Sequence, residues 1–332
     1  MMDMPETPPR SRLQQAFARL RDELQGCIIG QPKLVECLLL ALLADGHLLV
    51  EGAPGLAKTT AVKSLAARIE ADFHRVQFTP DLLPADLTGT DVFRPQSGNF
   101  EFEHGPLFHN IVLADEINRA PAKVQSALLE AMAERQITVG RATRPLPELF
   151  MVMATQNPIE QEGTFALPEA QLDRFLLHVT IGYPDATAEL AILRLAREQA
   201  SRRAHPAPAP ASLLQQADVF AARDAAMAVH MAPALEEYLA QLVLATRDAG
   251  RYGPELKRWI AWGASPRATI ALDRCARAQA WLAGRDYVLP EDAHAIVHEV
   301  LRHRVLLSYE AEAEGVRSDQ VIARLLDLVP LP

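Results

Sequence analysis

The sequence predicts an α/β protein: a parallel sheet covered by helices on both faces, followed by an all-helical domain. Three observations carry this expectation. Short apolar runs at 47–50, 73–78, 110–115, 149–155 and 175–181 are separated by segments with helical spacing. The first run leads into a glycine-containing loop that ends in Lys58-Thr59-Thr60 and opens a helix. Beyond Gly182-Tyr183-Pro184 the pattern is almost wholly helical. Apolar strands alternating with helices are the signature of a parallel sheet with crossover connections.

The elements follow in order. Residues 1–12 are polar and acidic and read as a disordered lead. Leu13, Phe17, Leu20 and Leu24 then repeat at helical spacing. Cys27-Ile28-Ile29-Gly30-Gln31-Pro32 breaks that helix, and a second apolar helix runs to Asp45-Gly46. The α/β core is expected over 13–185, with two insertions. The stretch 81–107 has a turn at Pro95-Gln96-Ser97-Gly98 followed by the alternating Asn99-Phe100-Glu101-Phe102-Glu103, and reads as a projecting hairpin. A second hairpin is expected at 136–147, between a helix and the fourth apolar run. The helical domain takes 186–332, with helices near 212–250 and 265–325 and a Pro/Ala-rich break at 200–210.

Composition narrows the function classes. With 332 residues, 49% hydrophobic and 23% charged, the chain can bury two packed units and is not disordered as a whole. A net charge of −9 argues against a surface that grips nucleic acid everywhere, though a local basic pore is compatible with it. The longest apolar run, Leu34 to Ala44, contains Glu36 and is too short to span a bilayer. Cys27, Cys37 and Cys275 form neither a C-x-x-C pair nor an even disulfide framework. A reduced cytoplasm is the expected location.

The loop Gly52-Ala53-Pro54-Gly55-Leu56-Ala57-Lys58-Thr59-Thr60 sits between a strand and a helix, the setting a phosphate-binding loop requires. Backbone N–H groups there can wrap a polyphosphate, with the helix dipole favouring its charge. Lys58 would reach the β- and γ-phosphates, and the Thr59 hydroxyl would ligate Mg²⁺. Ala57 stands where the usual pattern has a second glycine; it is small and lies at the helix start. The run Ile111-Val112-Leu113-Ala114 ends in Asp115 and Glu116. Asp115 would hold the metal and Glu116 would polarise an attacking water.

Other residues fit the same chemistry. Asn157, in Ala154-Thr155-Gln156-Asn157-Pro158, ends the fourth run and should lie beside the two carboxylates. Arg174 opens the fifth, where it could serve transition-state charge in a neighbouring subunit. Arg267, in Ser265-Pro266-Arg267-Ala268, opens a helix from which it would reach back to the nucleotide. Arg119 is a third such cation, with nothing local to fix its direction. His294 and His298 are four apart, but with no third ligand evident they read as ordinary surface histidines.

Taken together, Ile28-Ile29-Gly30-Gln31, the loop from Gly52 to Thr59, Leu113 to Pro121, Ala154 to Pro158, Gln171 to Phe175 and Ser265 to Ala268 make the chain resemble MoxR-family AAA+ ATPases from about residue 13 to 325. Ala57 is the residue that family usually shows. The resemblance implies an αβα sandwich of the P-loop NTPase type plus a helical lid, ATP and Mg²⁺ as cofactors, and a ring, commonly a hexamer. It places Ile29, Gly30 and Gln31 near the adenine, and implies Asn157 as sensor 1, Arg174 as arginine finger and Arg267 as sensor 2. It identifies 81–107 as a helix-2 insert and 136–147 as a presensor hairpin. It also implies a chaperone role with a separate von Willebrand factor A domain protein or an enzyme-maturation client. A nucleic-acid motor using Arg135, Arg141 and Arg144, or a slow nucleotide-gated scaffold, are the alternative readings.

Overall fold

The structure is a computed structural model that describes residues 11–96, 98–158, 163–202 and 212–331. The expected lead at 1–12 and break at 200–210 lie largely outside these residues.

Helix α1 (Arg12–Cys27) begins with a capping box in which Ser11 Oγ accepts from the Gln14 N–H at 3.2 Å and Gln14 Oε1 accepts from the Ser11 N–H at 2.8 Å. It buries Phe17, Leu20 and Leu24, the residues whose spacing marks it as a helix. Helix α2 (Pro32–Leu43) is buried along almost its whole length. Then come β1 (Leu48–Glu51), α3 (Lys58–Arg68), β2 (Phe73–Gln77), the short α4 (Pro84–Thr88), and the hairpin β3 (Gly89–Arg94) and β4 (Asn99–His104). The core continues with β5 (Ile111–Asp115), α5 (Ala122–Glu134), the second hairpin β6 (Gln136–Val139) and β7 (Ala142–Pro145), β8 (Met151–Gln156), α6 (Glu169–Leu172) and β9 (Leu177–Thr180).

Five strands form one parallel sheet in the order β2-β5-β8-β1-β9. Side-chain alternation divides its core in two. Leu48, Val50, Leu113, Met153, Leu177 and Val179 pack on one face with α1, α2 and α3. Leu49, Val112, Ala114, Val152 and Ala154 pack on the other with α5. This is why the strands read as continuous apolar runs. Register aligns Gln77 with Asp115 and Glu51 with Gln156, so the polar residues of four strands emerge along one edge, at the strands' carboxyl ends.

The remaining elements are α7 (Ala186–Arg202), α8 (Gln216–Met227), α9 (Pro233–Arg247), α10 (Pro254–Trp259), β10 (Ile260–Trp262), α11 (Pro266–Leu282), α12 (Pro290–His294), α13 (Val297–Leu301), β11 (Leu306–Leu307), α14 (Tyr309–Ala313) and α15 (Ser318–Leu328). The expectation of helices alone is corrected here. β10 and β11 pair antiparallel, an arrangement too short to leave a period in the sequence. The Ser308 N–H continues it by donating to the Trp259 carbonyl at 2.8 Å.

The helical part is sewn to the sheet. Its buried residues, among them Leu239, Leu272, Val300 and Ile322, belong to the same apolar cluster as α1, α2 and one sheet face. Arg304, almost fully buried, donates to the Asp173 carboxylate at 2.8 Å, to the Phe175 carbonyl at 2.6 Å and to the Leu176 carbonyl at 3.1 Å. Arg302 donates to the His178 carbonyl at 2.6 Å. A buried cation spending its donors on one short segment fixes that segment in place.

Candidate active site: a phosphate cleft and a separate arginine cavity

The loop after β1 follows from two glycines, one at a close approach and one at a positive φ. A Cβ at Gly52 would meet Ile181 at 2.4 Å, so only glycine lets the chain pass. Gly55 has φ +86° and opens toward the cleft, with nothing within 4 Å of the place a Cβ would take. Ala57 has φ +56° and ψ +17°, the left-handed conformation a glycine adopts without cost, and the helix starts one residue later at Lys58. A strained backbone at this point holds the turn that presents the helix N-terminus.

The cleft beyond this loop has a volume of about 350 Å³ and is lined by Pro54 to Thr60, Arg75, Asp115, Glu116 and Asn157. Lys58 Nζ donates to the Gly52 carbonyl at 2.6 Å. Burial pulls its pKa below the ordinary lysine range, against the opposing pull of Asp115 and Glu116. Asn157 is buried at the rim of the cleft, as its place at the end of β8 predicts.

Both carboxylates are held by neighbours, two of which, Arg75 and Gln77, lie outside every motif. Asp115 Oδ1 accepts from Thr155 Oγ1 at 2.6 Å, and Oδ2 accepts from Arg75 Nε at 3.0 Å and Nη2 at 2.6 Å. Glu116 Oε2 accepts from Gln77 Nε2 at 2.6 Å and Arg119 Nη1 at 3.0 Å. Arg75 Nη2 also donates to Gln77 Oε1 at 2.8 Å, which joins the two sets. Arg119, with no direction predicted, therefore lies on Glu116. Glu116 has φ +58°, and its N–H donates to Thr155 Oγ1 at 2.9 Å. A left-handed glutamate beside a phosphate loop is stored strain at a functional position. The signal for Arg75 and Gln77 lay in β2 itself, where two polar residues alternate at the carboxyl end of a sheet strand.

Next to the loop, an apolar recess of about 250 Å³ is lined by Ile29, Gln31, Leu56, Tyr183, Pro184 and Ile192, among others. Gln31 is anchored by its Nε2, which donates to the Gly182 carbonyl at 2.8 Å. Gly30 has φ +80° and passes against Pro184. Recess and cleft share Pro54 to Ala57, so a planar base and its phosphates have adjoining compartments. The donor set suits Mg²⁺ with a nucleotide: a hydroxyl on Thr59 and a carboxylate on Asp115, both hard oxygens, beside a helix N-terminus. Among the described residues there is no group of three or more histidines, cysteines or acidic residues that could hold a metal ion. His294 pairs with the buried Tyr238 and His298 with Asp319, as separate contacts.

Arg174 and Arg267 lie away from the phosphate cleft of their own chain. Arg174 lies in the turn between α6 and β9, three residues before the strand it was expected to open, and its Nη1 donates to the Leu129 carbonyl. Arg267, in the first turn of α11, lines the same cavity of about 280 Å³ as Arg174, and neither lines the phosphate cleft. Within one chain Arg267 therefore does not line the cleft. Ser265 Oγ, the N-cap of α11, donates to Asp173 at 2.7 Å and pins that helix beside Arg174. Of the three arginines named for the nucleic-acid alternative, Arg135 pairs with Asp45 at 2.7 Å and the Arg144 guanidinium stacks over Phe102 at 4.0 Å.

A parallel sheet with a phosphate loop, a strand ending in two carboxylates and a helical lid defines an AAA-type ATPase. Residues 47–177 match the model of the ATPase family associated with various cellular activities (AAA), and 257–325 match the AAA lid domain. The chain is 45% identical over 311 residues to Chaperone MoxR1 of Mycobacterium tuberculosis, covering 93% of this chain and 81% of that protein. It is 33% identical to Protein MoxR of Paracoccus denitrificans, covering 97% and 99% of the two. A crystal structure from Cytophaga hutchinsonii superposes with a TM-score of 0.88 at 44% identity, over 96% of each chain. The chain belongs to the MoxR family of AAA+ ATPases.

Proposed function

We propose that this chain is the subunit of an oligomeric, Mg²⁺-dependent ATPase that uses hydrolysis to remodel or mature a partner protein. The observation that carries this reading is the division of the site. The cleft has the loop, Lys58, Asp115, Glu116 and Asn157, while Arg174 and Arg267 face away into a second cavity. Two copies together supply a full phosphoryl-transfer site.

Lys58 and the loop N–H groups hold the β- and γ-phosphates, and the apolar recess by Ile29 and Gln31 takes the adenine. Thr59 and Asp115 would hold Mg²⁺, which when bound would supply neutralising charge to the polyphosphate. Arg75 has to release Asp115 for that carboxylate to act. Glu116 orients a water and accepts its proton, while the water oxygen bonds to the γ-phosphorus and the bond to the β–γ bridging oxygen breaks, leaving ADP and phosphate. Asn157 aligns the water or γ-phosphate. Arg174 and Arg267 of an adjacent copy compensate the charge on the transferred group.

The chaperone role is supported by the name of the mycobacterial relative, and by the hairpin β3–β4, whose Phe93 and Phe100 are both exposed with ring centroids 5.3 Å apart. A separate von Willebrand factor A domain protein is the proposed partner and a hexamer the proposed ring. No helix among the described residues is long and apolar enough to cross a membrane, and the three cysteines are free, which fits action in the cytoplasm.

The test is turnover per subunit against protein concentration, with a Glu116→Gln pull-down in ATP. Specific activity should rise with concentration, and the trapped protein should retain a von Willebrand factor A partner. A flat concentration curve rejects the two-copy site; recovery of nuclease-sensitive material instead of protein rejects the chaperone role.

A further inference from the structure

Arg274 belongs to none of the motifs in this sequence, yet it faces the cavity where two of them meet. It lies seven residues after Arg267 on α11. That spacing is two helical turns, about 10 Å along one face. Both side chains line the cavity that also holds Arg174. Neither has a side-chain hydrogen bond or ion pair among the described residues, and Arg174 meets only the neutral Leu129 carbonyl.

The other charges of the cavity are already compensated. Asp45 takes Arg135 and Arg223, each at 2.7 Å. Asp173 takes Arg304 at 2.8 Å and Ser265 at 2.7 Å. Arg277, the next arginine along α11, lies outside the cavity and is also paired, with Asp273 at 2.8 Å. Three guanidinium groups without a carboxylate therefore share one concavity, on a chain whose net charge is −9. Like charges so placed repel, and a planar fork of N–H donors on each is matched to phosphate oxygens. The volume of about 280 Å³ is below the ~300–1,000 Å³ of pockets that enclose a whole small ligand. The cavity fits part of a ligand that is anchored elsewhere.

We infer that Arg274 is a phosphate-contacting residue which, with Arg174 and Arg267, receives the polyphosphate of a nucleotide bound in the cleft of a second copy of this chain. This rests on the two-copy reading above and adds a residue to it.

The experiment measures kcat and KM for ATP in Arg274→Gln and Arg274→Lys, both checked for unchanged thermal midpoints, and then in mixtures with excess Glu116→Gln. Glu116→Gln subunits cannot hydrolyse but carry all three arginines. Arg274→Gln should lose ~10–100-fold in kcat/KM, as expected for a charged hydrogen bond, and Arg274→Lys should recover part of it. The mixture should restore turnover in the Arg274→Gln clefts. Arg174→Ala mixed with Glu116→Gln is the control. Unchanged turnover in Arg274→Gln overturns the inference. So does a loss that the mixture leaves in place while the Arg174→Ala mixture recovers, because Arg274 then acts within its own chain. If neither mixture recovers and wild-type activity is flat with concentration, the two-copy reading falls and the inference with it.

Discussion

The phosphate cleft and the arginine cavity are built on opposite electrostatic principles. In the cleft the acidic groups are satisfied within the chain: Asp115 by Arg75 and Thr155, Glu116 by Gln77 and Arg119. In the cavity the carboxylates are spent on Arg135, Arg223 and Arg304, and Arg174, Arg267 and Arg274 are left over. A self-satisfied half can wait for its ligand in a resting state; an uncompensated half needs an anion from outside. The difference matches the proposed reading, in which each chain carries two halves of a phosphoryl-transfer site and a second copy brings them together.

The strongest way to break this comparison is Arg174→Ala. Arginines supplied in trans are worth ~10³-fold or more in turnover, and that loss should come with no change in nucleotide affinity of the dilute, unassembled chain. If equilibrium binding to the dilute chain weakens in step with turnover, Arg174 serves its own cleft and the division into halves is wrong.

Acid should strike the arginine side first. His47 forms the floor of that cavity, fully hydrogen-bonded as a neutral ring: Nδ1 accepts from the Val152 N–H at 3.0 Å and Nε2 donates to the Met132 carbonyl at 3.2 Å. Burial, aided by the Arg135 charge, lowers its pKa from 6.5 to about 4. The unfolded chain therefore binds the extra proton first. The stabilisation is complete above pH 6.5 and is lost as pH falls toward 4, on the order of 3 kcal/mol in all. Urea midpoints at pH ~7.5 and ~5 should differ more for wild type than for His47→Gln, and equal differences would remove His47 as the cause.

A smaller effect tests the resting state of the cleft. Arg75→Met frees Asp115 from an ion pair that is partly exposed, so about 1 kcal/mol is at stake. The Mg²⁺ concentration for half-maximal nucleotide binding should fall by roughly fivefold. An increase would mean that Arg75 contributes more to holding the phosphates than it withholds from the metal. Smallest of all, Ala57→Gly should raise stability by up to ~1 kcal/mol in thermal unfolding, because glycine takes φ +56° without strain. A loss of stability would show that the alanine methyl contributes packing that outweighs its backbone cost.

The sequence displayed the frame of this molecule well for a physical reason. Strands buried on both faces are apolar throughout, and a phosphate loop needs small residues at fixed spacing, so β1, β5, β8 and the segment from Gly52 to Thr59 were legible. The positions of Arg174 and Arg267 were not, because they depend on contacts such as Ser265 to Asp173, across 92 residues of chain. Arg75 and Gln77 are isolated polar residues on a strand, and their meaning comes from the register that sets Gln77 opposite Asp115. The β10–β11 pair was invisible because two such short strands cannot show a period. Ala57 departs from the usual loop pattern in its identity, whereas its left-handed backbone belongs to the fold and leaves no trace in the sequence.

The grip of Arg304 on Asp173, Phe175 and Leu176 gives the molecule a direction. Arg174 sits inside the gripped segment, so its position is tied to the helical part through Arg304. If copies assemble as proposed, a change in how the helical part seats would be felt through Arg174 at a neighbour's cleft rather than at the cleft of the same chain.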